Sequence, residues 1–240
     1  MDSSGVIAFF GDPHGDFRAV ASALAGPRPG TSVFVGDFDL EFPFAKQLEP
    51  LAAAGSEVWY VHGNHDTDRD EWHDRLFECP LGARRNLNAR VVEASGLRIA
   101  GLGGVFREKI WHPRNGDGKP RYSTRDEFMR AHRASKWRGG LPRGHRSSVF
   151  WEDFEALDGK RADVLVTHEA PSCHRYGFEE IDFLAEMLGV KLVVHGHHHE
   201  RYDAVLPSGV QVLGLGKADL VVANADDIVQ DGWAARAAAA

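Results

Sequence analysis

The chain has 240 residues, of which 43% are hydrophobic, and a formal net charge of −7 at pH 7. This length and apolar content fit one α/β domain with a sizeable core. The sequence has no run of about 18 apolar residues and no charged start followed by an apolar stretch, which argues against a membrane span and an export signal. Its two cysteines, Cys79 and Cys173, are too few for a disulfide framework, so we expect a cytoplasmic protein.

Short apolar runs predict buried β-strands along the chain. These runs cover Val6–Phe10, Ser32–Val35, Glu57–Val61, Asp163–Val166 and Lys191–Val194. Helices are expected over Phe17–Ala25 and Pro43–Ala54, and each is followed by a glycine. The first half of the chain therefore predicts successive β-α units with parallel strand pairing. Two further strands, Arg90–Glu93 and Arg98–Leu102, flank a Ser-Gly turn.

Residues 106–150 differ in composition from the rest of the chain, and we call them the basic segment. They hold twelve Lys or Arg against four Asp or Glu, a net charge of +8 in a protein whose total is −7. Thr124 and Glu127 form a capping-box pattern, which predicts a helix that extends to about Trp137. We interpret the basic segment as an insertion between sheet strands.

Apolar patterning resumes after the basic segment. Helices are predicted over Trp151–Leu157 and Phe178–Leu188, and a β-hairpin is predicted around Pro207-Ser208-Gly209. We expect a single domain over residues 1–230, followed by a frayed Ala-rich tail at 231–240 that carries no function.

Metal-ligand residue types follow the five apolar runs listed above. The candidates are Asp12, His14, Asp37, Asn64, His168, His197 and His199. In an open α/β sheet the carboxyl ends of the strands face one crevice, so these side chains are expected to meet. Seven ligands exceed the need of one tetrahedral zinc ion, whereas two divalent cations that share a carboxylate would use them all. Such two-metal sites suit in-line displacement at phosphorus, which makes phosphate-ester hydrolysis the leading chemistry.

The order of these motifs resembles the calcineurin-like metallophosphoesterase superfamily. Asp-x-His, Gly-Asp, Gly-Asn-His-Asp, a lone His after a strand, and Gly-His-x-His follow one another between residues 7 and 199. Five motifs in this order are far more specific than any one alone. The resemblance implies an α/β fold with a β-sandwich of mixed sheets flanked by helices, in a four-layer αββα arrangement.

The resemblance also implies a role for each motif residue. The first metal would be bound by Asp12, His14, Asp37 and His199, and the second by Asp37, Asn64, His168 and His197. Asp37 would therefore bridge the two ions. His65 would stabilise the transition state or protonate the leaving oxygen, and Asp66 would orient it. The family often has an acid three residues after the bridging Asp, where this chain has Leu40 flanked by Asp39 and Glu41.

The expected reaction is hydrolysis of a phosphate mono- or diester by in-line attack of a hydroxide that bridges the two cations. Metal binding can lower the pKa of water from about 15.7 towards about 7, so a hydroxide is accessible near neutral pH. Nitrogen and oxygen ligands without sulfur admit Mn²⁺, Fe, Co²⁺ or Zn²⁺, and Mn²⁺ is our working choice.

The sequence leaves the substrate class open. The basic segment, through Arg130, Arg133, Lys136 and Arg138, could bind a polyanion, and its interleaved aromatic residues could stack on bases. A nuclease or nucleic-acid phosphatase is therefore the alternative to an enzyme acting on a phosphorylated small molecule or phosphoprotein, and a non-catalytic scaffold is third. The opposite interpretation of the segment is that its aromatic residues bury a small core while its charges face water. No membrane partner is expected, and the oligomeric state is left open.

Overall fold

Two mixed β-sheets pack face to face at the centre of the computed structural model, which describes residues 5–230. The first sheet contains β1 (Val6–Phe10), β2 (Thr31–Phe34), β3 (Glu57–Tyr60) and β10 (Leu220–Asn224). Its strand order is β10-β1-β2-β3. Strands β1 to β3 pair in parallel, as the sequence predicts, whereas β10 runs antiparallel to β1 with Phe9 opposite Val221.

The second sheet has six strands, in the order β4-β5-β6-β7-β9-β8. They are β4 (Arg90–Ala94), β5 (Leu97–Leu102), β6 (Val164–Thr167), β7 (Leu192–His195), β8 (Tyr202–Val205) and β9 (Gln211–Gly214). The central strands β5, β6, β7 and β9 are parallel, and the edge strands β4 and β8 are antiparallel to their neighbours. The pair β8 and β9 confirms the predicted hairpin.

Helices flank the two sheets, and the last of them packs into the core between the sheets through Ala225 and Ile228. They are α1 (Arg18–Ala25), α2 (Phe44–Gln47), α3 (Glu49–Ala53), α4 (Asp70–His73), α5 (Pro80–Arg85), α6 (Arg125–Ala131), α7 (Trp151–Glu155), α8 (Glu179–Leu188) and α9 (Ala225–Gln230). A 3₁₀ turn at His65–Thr67 directly follows the third predicted motif, and a π-helical turn occupies Asp74–Glu78.

Successive side chains along each strand point to opposite faces of the sheet, so they pack in separate apolar cores. In β1, Ile7 and Phe9 point into the core between the sheets, while Ala8 and Phe10 pack in the core beneath the helices of the first sheet. A third core lies on the outer face of the second sheet, against α7 and α8. Because both faces of each parallel strand are buried, the strands appear in the sequence as continuous apolar runs. The predicted fold class, mixed sheets flanked by helices, is confirmed.

Some predicted elements differ from the structure. The helix predicted over Pro43–Ala54 is divided at Leu48 into α2 and α3, because Pro50 has no N–H with which to continue the helical hydrogen bonds. The helix predicted from Thr124 begins at its capping box but ends at Ala131, six residues before Trp137. Strand β10 is absent from the sequence prediction. The predicted tail at 231–240 lies outside the described residues.

The basic segment joins β5 to β6 and contains α6. Its aromatic residues Phe106, Trp111 and Phe128 are buried in the core of the second sheet's outer face. The structure therefore agrees with the interpretation in which aromatic rings of the segment form a core, while Tyr122 and Trp137 are only partly buried. Within residues 5–230, no helix is long and apolar enough to cross a membrane. The cytoplasmic location and the extent of the single domain stay predictions.

Candidate metal centre

The predicted ligands meet at the carboxyl ends of strands from both sheets. Side chains that follow β1 and β2 face side chains that follow β6 and β7, so the crevice lies where the two sheets meet and not along one open sheet. The structure forms two overlapping groups, Asp12, His14, Asp37 and His199 in one, and Asp37, His168 and His197 in the other. Within each group the possible ligand atoms lie within 4.8 Å of one another. Asp37 belongs to both groups, as expected of a bridging carboxylate.

Short distances link the members of the two groups. In the first, His14 Nε2 lies 3.0 Å from His199 Nε2, which in turn lies 3.3 Å from Asp12 Oδ2. In the second, His168 Nε2 lies 3.4 Å from Asp37 Oδ2 and 3.2 Å from Asn64 Oδ1. These nitrogen and oxygen atoms therefore converge in two groups. A cation in each group would satisfy them.

Further contacts test whether these residues fit metal ions. Asp12 is fully buried, and its Oδ1 atom has no hydrogen-bond partner among the described residues. His168 Nδ1 lies 2.7 Å from the Val35 carbonyl oxygen, and His14 Nδ1 lies 3.3 Å from Asp39 Oδ2. Metal-bound histidines commonly donate their outer N–H to a carbonyl or carboxylate in this way, which leaves Nε2 for the metal. The donor set therefore fits two divalent cations.

Glycines in the motifs make room for the ligands. A Cβ atom on Gly36 would come within 2.8 Å of Gly63 Cα, and one on Gly196 would overlap the Asp12 carboxylate. Gly36 also has a φ of 111°, which L side chains rarely adopt. Close packing between the strand-end loops thus explains the glycines that precede Asp37 and His197.

Gly63→Ala should abolish metal binding. The new Cβ atom would overlap the Asp37 carboxylate and lie 2.5 Å from His168 Cε1, so two ligands of the second group would have to move. Elemental analysis should then find fewer than two metals per chain, with the fold intact by circular dichroism. Gly26→Ala is the matched control, because its Cβ would meet nothing within 4 Å. Normal metal content in both variants would contradict this packing argument.

The backbone at the site is strained. Four of the predicted ligands have positive φ angles, namely His14 (43°), Asp37 (52°), His197 (70°) and His199 (55°). Non-glycine residues in this region cost about 1–3 kcal/mol each and concentrate at functional sites. The strain therefore supports a fold that holds these side chains in fixed positions before any ligand binds.

His168 and Asp37 perturb each other's ionisation. Burial alone lowers the pKa of His168, but the charge of Asp37 and the hydrogen bond to it raise that pKa further, to about 10. Burial likewise raises the pKa of Asp37, but His168 lowers it well below its usual range. Without metal, a protonated imidazole therefore supplies the positive charge that the carboxylates require.

Metal binding should release a proton from His168. A metal ion binds the neutral imidazole, and the pKa of about 10 means that the metal-free protein holds the proton near neutral pH. Below that pKa, the apparent affinity for Mn²⁺ should rise about tenfold for each pH unit. Titration of chelator-stripped protein at about pH 7 and about pH 8 measures the slope, and His168→Asn is the control. A pH-independent affinity in the wild type would contradict the expected proton release.

The chain resembles known proteins in both sequence and fold. The model of the family described as calcineurin-like phosphoesterase matches residues 5–201. The chain belongs to this family. An uncharacterized protein of Haemophilus influenzae is 37% identical over 226 residues, which cover 94% of this chain and 97% of that protein.

Two crystal structures of low sequence identity share the fold. The protein TT1561 of Thermus thermophilus aligns with a TM-score of 0.56 and 16% identity, over 92% of this chain and 98% of that chain. A dimetal phosphatase from Danio rerio aligns with a TM-score of 0.58 and 13% identity, over 93% of each chain. The expected superfamily is confirmed.

In this phosphoesterase His65 lies at the mouth of the metal centre. Its side chain is 45% exposed, and its ring centroid lies 5.3 Å from that of His14. The backbone N–H of His65 donates to Asp37 Oδ1 at 2.8 Å. Burial lowers the pKa of His65, but Asp37 and a hydrogen bond with Asp68 raise it more, so the net shift is upward. A raised pKa favours the protonated form, which a proton donor needs.

The partner of His65 is Asp68, and the expectation that Asp66 orients it was wrong. His65 Nδ1 lies 2.6 Å from Asp68 Oδ2. Asp66 is buried and accepts hydrogen bonds from the backbone N–H groups of Asp37, Phe38 and Gly63. The 3₁₀ turn at His65–Thr67 points the two side chains away from each other. Asp66 thus fixes the Asp37 loop, and burial with the charge of Asp37 raises its pKa to about 7.

The proposed substrate contacts of the basic segment lie apart from the predicted metal ligands. Arg130, Arg133 and Lys136 line a separate cleft of about 560 Å³ whose lining contains none of those ligands. Arg138 forms an ion pair with Asp74. Arg143, by contrast, donates to the Asp68 carbonyl oxygen at 2.7 Å and pairs with Asp70. The basic segment therefore reaches the metal centre at its two ends and not through the four predicted residues.

Sequence reasoning missed residues around the predicted ligands. Asp39 contacts His14, and Asp68 contacts His65, yet neither stands in a motif position that predicts its role. Glu169 is buried beside His168, accepts a hydrogen bond from the Phe106 N–H at 3.0 Å, and has a pKa raised by burial to about 7. The only signal in the sequence was their acidic side chain beside a motif.

Other histidines lie outside the expected ligand set. His198, which is partly buried, stacks on His174 with ring centroids 4.0 Å apart, and it also lies within reach of Glu169 and His197. His62 is buried. His73 is 1% exposed because Phe77 and Trp137 pack against its ring.

Proposed function

We propose that the protein is a binuclear metal-dependent phosphoesterase that hydrolyses a phosphate mono- or diester. One observation carries this proposal: the candidate ligands form two groups that share Asp37. Asp12, His14, Asp37 and His199 would bind the first metal, and Asp37, Asn64, His168 and His197 the second. The similar fold of a protein described as a dimetal phosphatase supports the same chemistry.

Two bound cations would supply a hydroxide nucleophile for in-line attack near neutral pH and would polarise the phosphoryl oxygens. The protein's own part is to hold the ligands in position, which the positive φ angles and the glycine contacts achieve before substrate arrives. Mn²⁺ remains our working choice, and Fe, Zn²⁺ and Co²⁺ also suit nitrogen and oxygen ligands.

His65 would act on the leaving group. Its exposed ring is held at Nδ1 by Asp68, which leaves Nε2 to face a substrate above the metal centre. Because the pKa of His65 is raised, the ring can carry the proton that the departing oxygen requires. Arg143 fixes the Asp68 loop through backbone carbonyls, so it acts as a positioning residue.

A substrate panel tests this function. Chelator-stripped protein supplied with Mn²⁺ should hydrolyse 4-nitrophenyl phosphate or bis(4-nitrophenyl) phosphate, and turnover should disappear when the metal is removed. Cyclic nucleotides and single-stranded oligonucleotides complete the panel and separate monoesterase, diesterase and nuclease activity. Hydrolysis of none of these esters with any of the four metals would contradict the proposal and favour the non-catalytic scaffold.

The basic segment supports the nucleic-acid alternative less than its net charge of +8 suggests. Arg125 pairs with Glu152 and Asp153, and Arg138 and Arg143 pair with Asp74 and Asp70. These cations are therefore compensated within the protein. Since Phe106, Trp111 and Phe128 are also buried and cannot stack on bases, a small phosphorylated molecule is the substrate class that we favour.

A further inference from the structure

We infer that the cleft beside the metal centre binds a second anionic group of the substrate, a phosphate or carboxylate distinct from the reacting phosphoryl group, through Arg107 and His112. This inference rests on the proposed phosphoesterase function. It identifies the substrate as a small phosphate ester that carries two anionic groups.

The cleft has a volume of about 370 Å³ and opens onto two candidate ligands of the second metal, Asn64 and His197. Arg107 and His112 of the basic segment line the facing wall. Arg114 donates hydrogen bonds to the carbonyl oxygens of Arg175 and Gly177. It therefore connects the basic segment to the loop that lines the rest of the cleft. A cleft of this size suits a small molecule.

Arg107 is a cation without an ionic partner. Its side chain is partly buried, and one of its Nη atoms lies 3.3 Å from Ser147 Oγ. Its Nε atom is buried with no hydrogen-bond partner, and Arg107 forms no ion pair within residues 5–230. Neighbouring arginines such as Arg125 and Arg138 do form ion pairs. Asp68, Glu169 and Asp37 interact electrostatically with Arg107 without forming a direct ion pair, so an anion in the cleft would be its first direct ionic partner.

His112 lines the same cleft and also carries an unpaired polar atom. Its Nδ1 atom is buried and has no hydrogen-bond partner in the described chain, and its ring packs edge-on against Phe178 with centroids 5.4 Å apart. A third such atom, His198 Nε2, lies on the side of the metal ligands. The cleft is thus lined by three residues that carry polar atoms with no hydrogen-bond partner among the described residues, and a polar ligand would supply such partners.

The acidic group in this cleft limits where an anion can lie. Glu169 Oε1 accepts the N–H of Phe106, and Oε2 lies 3.9 Å from His197 Nε2. An anion would be repelled by this carboxylate and attracted to Arg107. We therefore assign the reacting phosphoryl group to the metal ligands and the group that contacts Arg107 to a different part of the substrate.

The remaining wall is apolar and would contact the body of the substrate that links its two anionic groups. Phe106 and Phe178 pack against each other with centroids 4.5 Å apart, and the Tyr176 ring is 50% exposed. An aryl or alkyl body would lie against these rings. This arrangement assigns to Arg107 and His112 the role that the sequence predicted for Arg130, Arg133, Lys136 and Arg138.

Paired substrates that differ in one anionic group test the inference. Phenyl phosphate and 4-carboxyphenyl phosphate form one pair, and a nucleoside 5′-monophosphate and its 3′,5′-bisphosphate form another. In at least one pair, wild type should hydrolyse the substrate with two anionic groups at the higher kcat/KM. Arg107→Gln should reduce this preference, expressed as the ratio of kcat/KM values, by about 10- to 100-fold, the worth of a charged hydrogen bond. The ratio for Arg107→Lys should lie between those of wild type and Arg107→Gln, since lysine keeps the positive charge but has no Nε atom.

Controls separate this role from others. Arg121→Gln removes an exposed arginine of the same segment and should leave the ratio unchanged. An equal loss for both members of each pair would show that Arg107 contacts the reacting phosphoryl group and would overturn the inference. The inference would also be overturned if the ratio of kcat/KM values were unchanged in Arg107→Gln or were reduced in Arg130→Gln. Metal content and thermal unfolding of each variant exclude misfolding as the cause.

Binding measurements keep the inference separate from the proposed function. Calorimetry with benzylphosphonate and 4-carboxybenzylphosphonate on the Mn²⁺-loaded protein needs no turnover. Tighter binding of the second compound, lost in Arg107→Gln, supports the anion subsite even if no ester is hydrolysed. Equal binding of both phosphonates, together with no preference in either substrate pair, would overturn it while leaving the hydrolysis of simple esters unaffected.

Discussion

Asp37→Asn should lose both metals and nearly all turnover. Asp37 is the one carboxylate that belongs to both candidate groups, and it is 1% exposed, so water cannot replace its charge. Removing one partner of a buried ion pair costs about 3–5 kcal/mol, which corresponds to about 10²–10⁴-fold in affinity. Elemental analysis after dialysis against low metal should find fewer than one ion per chain. Two ions and near-normal hydrolysis would contradict the bridging role.

Asp39→Asn provides a matched comparison for that experiment. Asp39 also follows β2 and has a positive φ of 50°, but it contacts only His14, with 3.3 Å between Oδ2 and Nδ1. Its loss should weaken the first metal alone, by about 10- to 100-fold, as expected for a residue that orients a ligand. Equal losses in the two variants would show that a carboxylate anywhere after β2 has the same effect.

The convergence of the candidate ligands was predictable because each lies within four residues of the end of a buried strand. Val33 and Val35 of the second run are fully buried, so the chain leaves the sheet at a fixed place and Asp37 must emerge there. The same logic applies to His168 after β6 and to His197 after β7. What the sequence did not predict is that two sheets, and not one, contribute to the crevice. That arrangement depends on the packing of Ile7 and Phe9 against the second sheet.

The contacts around the ligands could not be predicted from neighbouring positions. Asp66 lies next to His65 in sequence, yet a 3₁₀ turn directs it to backbone amides and brings Asp68 to the imidazole instead. The basic segment presented a similar difficulty. Its charge is a property of composition, but which arginine remains unpaired depends on where Asp70, Asp74 and Glu152 lie in the fold.

His65→Ala should lower turnover while the metals stay bound. His65 is not a member of either candidate ligand group, and its side chain contacts Asp68 at the mouth of the site. Proton transfer to a leaving group is typically worth about 10²–10⁴-fold, so kcat should fall by that factor. The loss should grow as the pKa of the leaving alcohol rises, because a poor leaving group needs the proton most. Aryl phosphates of graded leaving-group pKa measure this dependence.

Two further variants distinguish proton donation from a structural effect. Asp68→Asn should weaken the positioning of His65 and lower its pKa, since Asp68 is one of the groups that raise it. The alkaline limb of the pH–rate profile, along which protonated His65 is lost, should therefore move to lower pH with metals retained. Asp66→Asn should instead disturb the Asp37 loop and metal content, without a change in leaving-group dependence. If His65→Ala itself lost its metals, His65 would have to be assigned as a ligand, and proton donation would need another residue.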